Sequence, residues 1–321
     1  LTDRLPRDRF WQPPRPDRAA GGPRRVGVEL EFAGVAEDAA ARLACGLWGG
    51  EAWRDAGGDW TVEGGRLGRL RVERDTALRP DGAEGLVREA LGDLVPVEIV
   101  TDPLAPAALP EVERLVAALR AAGARGNGGG VGNAFGLHLN PEIADRDAAA
   151  IVPVARAFGL LEDWLRGSDP LDPMRRLLPF VDPWPRRLVD ALADGAALTL
   201  EELTAGYLAL SPSRNRGLDL LPLLAWLDPD RVRAALAEGE CRPGRPTFHY
   251  RLPGMRLETP GWSVAYEWNR WVLVERVAGD PALLESLATG WRAHRASLTS
   301  LRGDWFERTE AILAGAPVWG P

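Results

Sequence analysis

The stretch RRVGVELEF, residues 24–32, decides the fold. Val26, Val28, Leu30 and Phe32 alternate with Arg25, Gly27, Glu29 and Glu31, the period of two that sends side chains to opposite faces of a strand. One face is apolar and the other carries both glutamates. A helix is expected at 36–47, after which EAWRDAGGDWTVEGG and GRLRVERDTAL read as a glycine-turned pair of strands. A short helix is expected at 84–93. VPVEIVTDPL (95–104) is a further strand closed by Asp102-Pro103, before a helix at 109–122 with apolar residues at 112, 115, 116 and 119. The run GARGNGGGVGNAFG delivers the chain into AFGLHLNPEI, a strand with Phe135, Leu137 and Leu139 on one face and His138 and Asn140 on the other.

Beyond this point the pattern turns helical, at about 147–166, 186–193, 199–210 with a capping box at Thr199 and Glu202, and 228–238. PTFHYRLP (246–253) interrupts it as one more strand. A Trp-rich helix at 261–277 and two C-terminal helices opened by Asp280 and Asp304 follow. Residues 1–24, rich in Pro and Arg, form an arm that either drapes over the domain or stays mobile. With no repeat and no linker, the expectation is a single α+β domain over 25–321. It has an antiparallel sheet with helices on one face, a helical insertion at about 145–245 and C-terminal helices at about 261–315.

The chain of 321 residues holds 46 acidic and 39 basic side chains, net −7, interleaved without like-charge blocks, which argues against a nucleic-acid partner. All 39 basic residues are arginine, so Schiff-base, Walker-A and kinase-type lysines are excluded. Any phosphate must then be held by arginine, metal or backbone N–H. Cys45 and Cys241 lie far apart, with no histidine at ligand spacing, which supports neither a disulfide framework nor a structural zinc. No apolar run approaches the roughly 18 residues of a spanning helix, and the first residues lack a signal-peptide core. The expectation is a cytoplasmic protein with no membrane partner.

Four strands place polar groups on one face: Glu29 and Glu31, Glu73 and Asp75, Glu98, and His138 with Asn140. If they are neighbours, up to five carboxylates and an imidazole converge, a cluster that repels itself unless divalent cations are bound. Oxygen ligands with one imidazole suit Mg²⁺ or Mn²⁺. The same alternation is also what any half-solvated sheet shows. Arg251 in the FHYRLP strand, and Arg214 and Arg216 in SPSRNRGLDLL, a loop entering a helix, could clamp a phosphate or carboxylate, although a lone arginine is more often a surface partner. The run 126–136 has no Rossmann or Walker spacing and reads as a loop, with a lid as the minority reading. Trp262, Trp268 and Trp271 with Tyr266 read as packing of the C-terminal helix on the sheet, and His294 as solvated.

GVELEF, VERD, VEIVTDPL, GLHLNP, YRLP and WSVAYEWNRWVLVE occur in the order and approximate spacing of the amidoligase family, over about residues 24–278. The chain thus resembles the carboxylate–amine ligases related to glutamate–cysteine ligase and glutamine synthetase. The resemblance implies a glutamine-synthetase-like antiparallel sheet binding ATP and two or three Mg²⁺ (or Mn²⁺) ions. It implies metal ligands at Glu29, Glu31, Asp75 and Glu98, with His138 a further candidate ligand near the ATP phosphates and Asn140 beside it. Arg251, with Arg214 beside it, would face phosphate or substrate carboxylate. Catalytic work would fall on Glu31, Glu98 and Arg251. The reaction implied is amide formation through an acyl-phosphate, on small-molecule or peptide carboxylate and amine substrates such as an amino acid, a peptide or a cell-wall-like fragment. Amidotransferase or peptide-modifying partner enzymes are further implications.

One position departs from the wider superfamily pattern, Glu-x-Arg on the last core strand: here it reads His249-Tyr250-Arg251. His249 is either a metal ligand or a hydrogen-bonded core residue, and Glu73 is the alternative carboxylate. A phosphotransferase of the same fold and a non-catalytic nucleotide- or peptide-binding descendant are the competing readings.

Overall fold

The computed structural model describes residues 1–74, 96–127, 135–169, 181–195, 197–237 and 240–320. Strand β1 (Val26–Phe32) lies inside an eight-stranded sheet and keeps the alternation of its sequence: Val26, Val28, Leu30 and Phe32 are buried, Glu29 and Glu31 only partly so. The other strands in chain order are β2 (Glu51–Arg54), β3 (Trp60–Gly65), β4 (Gly68–Arg74), β5 (Val97–Thr101), β6 (Leu137–Pro141), β7 (Leu218–Asp219) and β8 (His249–Tyr250). They line up as β2-β3-β4-β5-β1-β6-β8-β7, every pair antiparallel, with β2 and β7 as open edges. The fold is α+β.

Ten helices belong to the described residues: α1 (Glu37–Trp48), α2 (Leu109–Ala121), α3 (Ala148–Ser168), α4 (Arg186–Asp194), α5 (Leu200–Leu210), α6 (Leu221–Leu227), α7 (Pro229–Ala235), α8 (Val264–Ala278), α9 (Pro281–Arg295) and α10 (Arg302–Ala314). α1 lies against β3 and β4, and α2 packs between α1 and α8. At the other end of the sheet, the Tyr250 ring sits 5.4 Å from Trp271 of α8 and 6.2 Å from Phe158 of α3. The apolar face is therefore sealed by helices, which leaves the glutamate face to do something else.

Several expectations change in detail. The region 51–74 forms three strands, because EAWRDAGGDWTVEGG is itself a hairpin: Asp55 accepts from Asp59 N–H at 3.0 Å inside the turn. PTFHYRLP keeps only His249–Tyr250 as regular strand, while Phe248 and Arg251 still donate to the carbonyls of Pro141 and Gly217. The helix expected after SPSRNRGLDLL is α6, whereas β7 carries no signal in the sequence, since two residues have no period to read. α10 is capped at Leu301, and Asp304 lies in its first turn, where the helix dipole favours an acid. The expected capping box of Thr199 and Glu202 forms. The helix expected at 84–93, Asp75 and most of the glycine run lie outside the described residues.

The arm drapes over the domain. Leu5 and Trp11 are buried, Asn269 of α8 receives the Trp11 N–H at 2.8 Å and donates to the Pro6 and Arg9 carbonyls at 2.9 Å each, and the Arg276 guanidinium lies 3.9 Å from the Trp11 ring centre. Trp268 donates to the Trp11 carbonyl and so packs the arm, whereas Trp271 packs the sheet. Among the described residues no helix is long and apolar enough to cross a membrane.

His294 is not solvated. Its ring lies 5.7 Å from both Trp291 and Trp305, and its Nδ1 is buried with no hydrogen-bond partner among the described residues. Burial lowers its pKa, with Arg308, Arg186 and Arg295 adding repulsion against a pull from Asp304. The unfolded chain therefore takes up a proton near the ordinary value of about 6.5 before the folded one does, so the stability this residue carries is intact above that pH and drains away below it. We expect His294→Leu to flatten the fall of Tm between about pH 7 and pH 5 in calorimetric melts. An unchanged slope would show that other groups govern acid sensitivity.

Candidate active site

Register brings the polar residues of the sheet together. Glu31 stands opposite Glu98, and Glu98 opposite Glu73. One step along β1, Glu29 stands opposite His138, and Gly27 opposite Asn140. On the far side of β6, Leu139 pairs with Tyr250, and Asp219 of β7 pairs with His249. A period of two on every strand makes this one continuous face.

The hydrogen bonds centre on Glu29. Its Oε2 lies 2.8 Å from Nδ1 of His138, and its Oε1 accepts from Nδ2 of Asn140 at 2.9 Å. Asn140 Oδ1 lies 2.5 Å from Nδ1 of His249. The two imidazoles meet edge to face, 5.4 Å between centres. Nε2 of His138 faces Glu31 Oε1 at 3.5 Å, and the other Glu31 oxygen accepts the Gly136 N–H at 2.6 Å. Burial alone would raise the Glu29 carboxyl, but the His138 hydrogen bond, the neighbouring His249 and the Asn140 amide outweigh it and hold the group well below the usual carboxylate range. Burial holds the His249 imidazole far below the ordinary histidine value, aided by His138, Arg251 and Arg214 and opposed by Glu29.

Two ligand groups can be drawn among the described residues: Glu31, Glu98 and His138, and Glu29, His138 and His249, with one donor atom from each residue within 4.8 Å of the others. Glu73 belongs to neither group and is paired with Arg71 at 3.4 Å. Arg251 donates to the Arg214 carbonyl at 2.5 Å, and Arg214 Nε lies 3.6 Å from Asp219 Oδ2. Arg216 turns away to the Pro183 carbonyl at 2.9 Å. Of the sequence candidates, then, Glu29, Glu31, Glu98, His138, Asn140 and His249 converge, Arg251 and Arg214 flank them at the β7–β8 end, and Asp75 lies outside the described residues.

Sequence reasoning missed two residues. Asp219 is wholly buried beside His249, its pKa pushed up to about 6 by burial against the Leu221 N–H, Arg214 and Arg251. An apolar LDLL run hid it, because a lone acid between leucines reads as a turn. Gly136, where the glycine run meets the AFGLHLNPEI strand, was given no role, yet a Cβ there would lie 2.9 Å from Cδ2 of His138, nearer still to Nε2, and 3.3 Å from Glu31. Its place one residue before the LHLN strand was the available signal.

An open antiparallel sheet, sealed by helices on one face and gathering carboxylates, imidazoles and guanidinium groups on the other, defines a class of α+β scaffold suited to binding cations and anions together. The family model described as "Putative amidoligase enzyme" matches residues 22–273. The chain belongs to that family, whose description is of ligases forming amide bonds. No curated protein and no solved structure matches it.

Proposed function

We propose that the polar face is the active site of an ATP- and divalent-metal-dependent carboxylate–amine ligase. The observation that carries this reading is a directly opposed Glu31–Glu98 pair facing His138, in a chain of the amidoligase family. Like charges opposed across a sheet are destabilising unless a cation lies between them, and oxygen donors with one imidazole fit Mg²⁺ or Mn²⁺. Bound divalent ions would supply neutralisation between the γ-phosphate and an anionic carboxylate.

In this reading Arg251 and Arg214 present guanidinium groups to phosphate or carboxylate, and Asp219 keeps Arg214 at that end of the face. The substrate carboxylate oxygen bonds to the γ-phosphorus as ADP leaves. An amine then bonds to the acyl carbon, and phosphate and a proton depart. An amino acid, peptide or cell-wall-like fragment would supply the carboxylate.

The test is calorimetric titration of ATP with and without Mg²⁺. Glu31→Ala is expected to weaken the metal-dependent binding by at least about 100-fold while circular dichroism stays unchanged. Unaltered affinity in that variant would sink the reading. Amide accompanied by ADP, rather than a phosphorylated acceptor, would separate the ligase from a phosphotransferase, and binding without turnover on a broad amine and carboxylate panel would favour a non-catalytic descendant.

A further inference from the structure

With both imidazoles neutral, the donors and acceptors around Glu29 permit one assignment. A carboxylate accepts, so the NH₂ of Asn140 must face Glu29, and the amide oxygen then faces His249. That oxygen accepts too, so Nδ1 of His249 carries the hydrogen. Nδ1 of His138 likewise donates to the second Glu29 oxygen. One carboxylate therefore fixes both imidazoles, His138 directly and His249 through an amide, and in each neutral ring the lone pair is left on Nε2.

For His138 that lone pair points at a carboxylate. Nε2 and Glu31 Oε1 stand 3.5 Å apart, too far for a hydrogen bond, with two acceptors facing each other in a site where His138 is buried. Two ligand atoms held about 2.1 Å from one ion at 90–109° are roughly 3.0–3.4 Å apart. The spacing is close to that of a shared ion, and Glu98 completes the group.

The geometry points to a division of labour within this face: Nε2 of His138, Glu31 and Glu98 ligate one divalent ion, while Glu29, Asn140 and His249 are positioning residues that hold the His138 ring in its ligating tautomer. Each Glu29 oxygen already accepts a hydrogen bond, from His138 and from Asn140, whereas Glu31 Oε1 faces Nε2 of His138, so the Glu31 position fills first. His249, which occupies the place of an expected carboxylate, ends a hydrogen-bonded chain and is not a ligand of that ion. A mixed nitrogen–oxygen set suits Mn²⁺, Co²⁺ or Zn²⁺ better than Mg²⁺. The inference rests on the metal-binding part of the proposed function and not on ATP or turnover.

Co²⁺ is the probe, because its visible absorption reports ligation without substrate. Titration of the full chain with Co²⁺ alone is compared with His249→Asn, His249→Leu, Glu29→Gln and Glu31→Gln, each checked by circular dichroism. The amide nitrogen of asparagine lies as many bonds from the backbone as Nδ1, so His249→Asn keeps the donor but removes Nε2. The expected order is near wild-type affinity for His249→Asn, about 10- to 100-fold weaker binding for His249→Leu and Glu29→Gln with the spectrum and stoichiometry kept, and loss of the spectrum for Glu31→Gln. Equal damage from His249→Asn and His249→Leu would make His249 a ligand and overturn the assignment. Loss of the spectrum in Glu29→Gln would overturn it too, as would the absence of a Co²⁺ spectrum in the folded wild type. Failure of ATP to bind, with this order intact, would remove the ligase reading and leave the metal assignment standing.

Discussion

Gly136→Ala is expected to weaken metal-dependent nucleotide binding, and any turnover it supports, by about 100-fold with little change in Tm. The added Cβ would stand 2.9 Å from Cδ2 of His138 and nearer still to Nε2, so something must move. The backbone is the less able to do so: the Gly136 carbonyl accepts from Glu31 N–H at 3.0 Å, its own N–H donates to the Glu31 carboxylate at 2.6 Å, and it bridges to Gly254. The imidazole gives way instead, and its rotation breaks the 2.8 Å bond from Nδ1 to Glu29. A displaced ring spoils the site while leaving the apolar core on the other face untouched, which is why binding and melting should separate. Calorimetric titration alongside a thermal melt checks this, and wild-type affinity in the variant would mean that His138 tolerates the shift and is no ligand.

That same glycine shows where reading the sequence stopped. Alternation identified the strands that carry Glu29, Glu31, Glu98 and His138, because half-buried strands must alternate and these residues fall on the polar beat. Which carboxylate faces which is a matter of register, and register is set by pairing between strands far apart in sequence. The opposition of Glu31 to Glu98 and of Glu29 to His138 is therefore a property of the folded sheet that no single strand encodes. Asp219 is harder still, since a two-residue strand at the sheet edge carries no period. His294 misled because its neighbours Arg292 and Arg295 are charged, while the tryptophans that bury it come from its own helix three residues back and from the following helix.

The polar cluster and the packed helices lie on opposite faces of the sheet, and one buried ion pair binds the second face together. Arg24 sits two residues before β1, 5% exposed, and its guanidinium reaches both oxygens of Glu275 on α8 at 2.7 Å, the Arg15 carbonyl in the arm at 3.0 Å and the Glu142 carbonyl after β6 at 2.6 Å. Trp271, the ring that packs on Tyr250, donates to one of the same Glu275 oxygens at 2.7 Å. Each of the three guanidinium nitrogens has a partner, which is the condition under which a buried pair is tolerated. Glu275→Ala removes the carboxylate and leaves a guanidinium and an indole N–H without it in a buried place, so it should destabilise the chain by about 3–5 kcal/mol in urea unfolding. The double change Arg24→Met with Glu275→Leu removes the charge from both sides and fills the space. It should recover more than half of that loss, because the larger part of the single-variant penalty is the stranded charge and not the missing bond. If the double variant is as unstable as Glu275→Ala, the pair acts through the geometry of arm, sheet and helix that its hydrogen bonds hold, and apolar packing cannot replace it. The double variant should also keep its Co²⁺ spectrum, since neither residue faces the site. Loss of that spectrum would mean that the Arg24 clamp sets the position of β1, and with it the distance between Glu31 and His138.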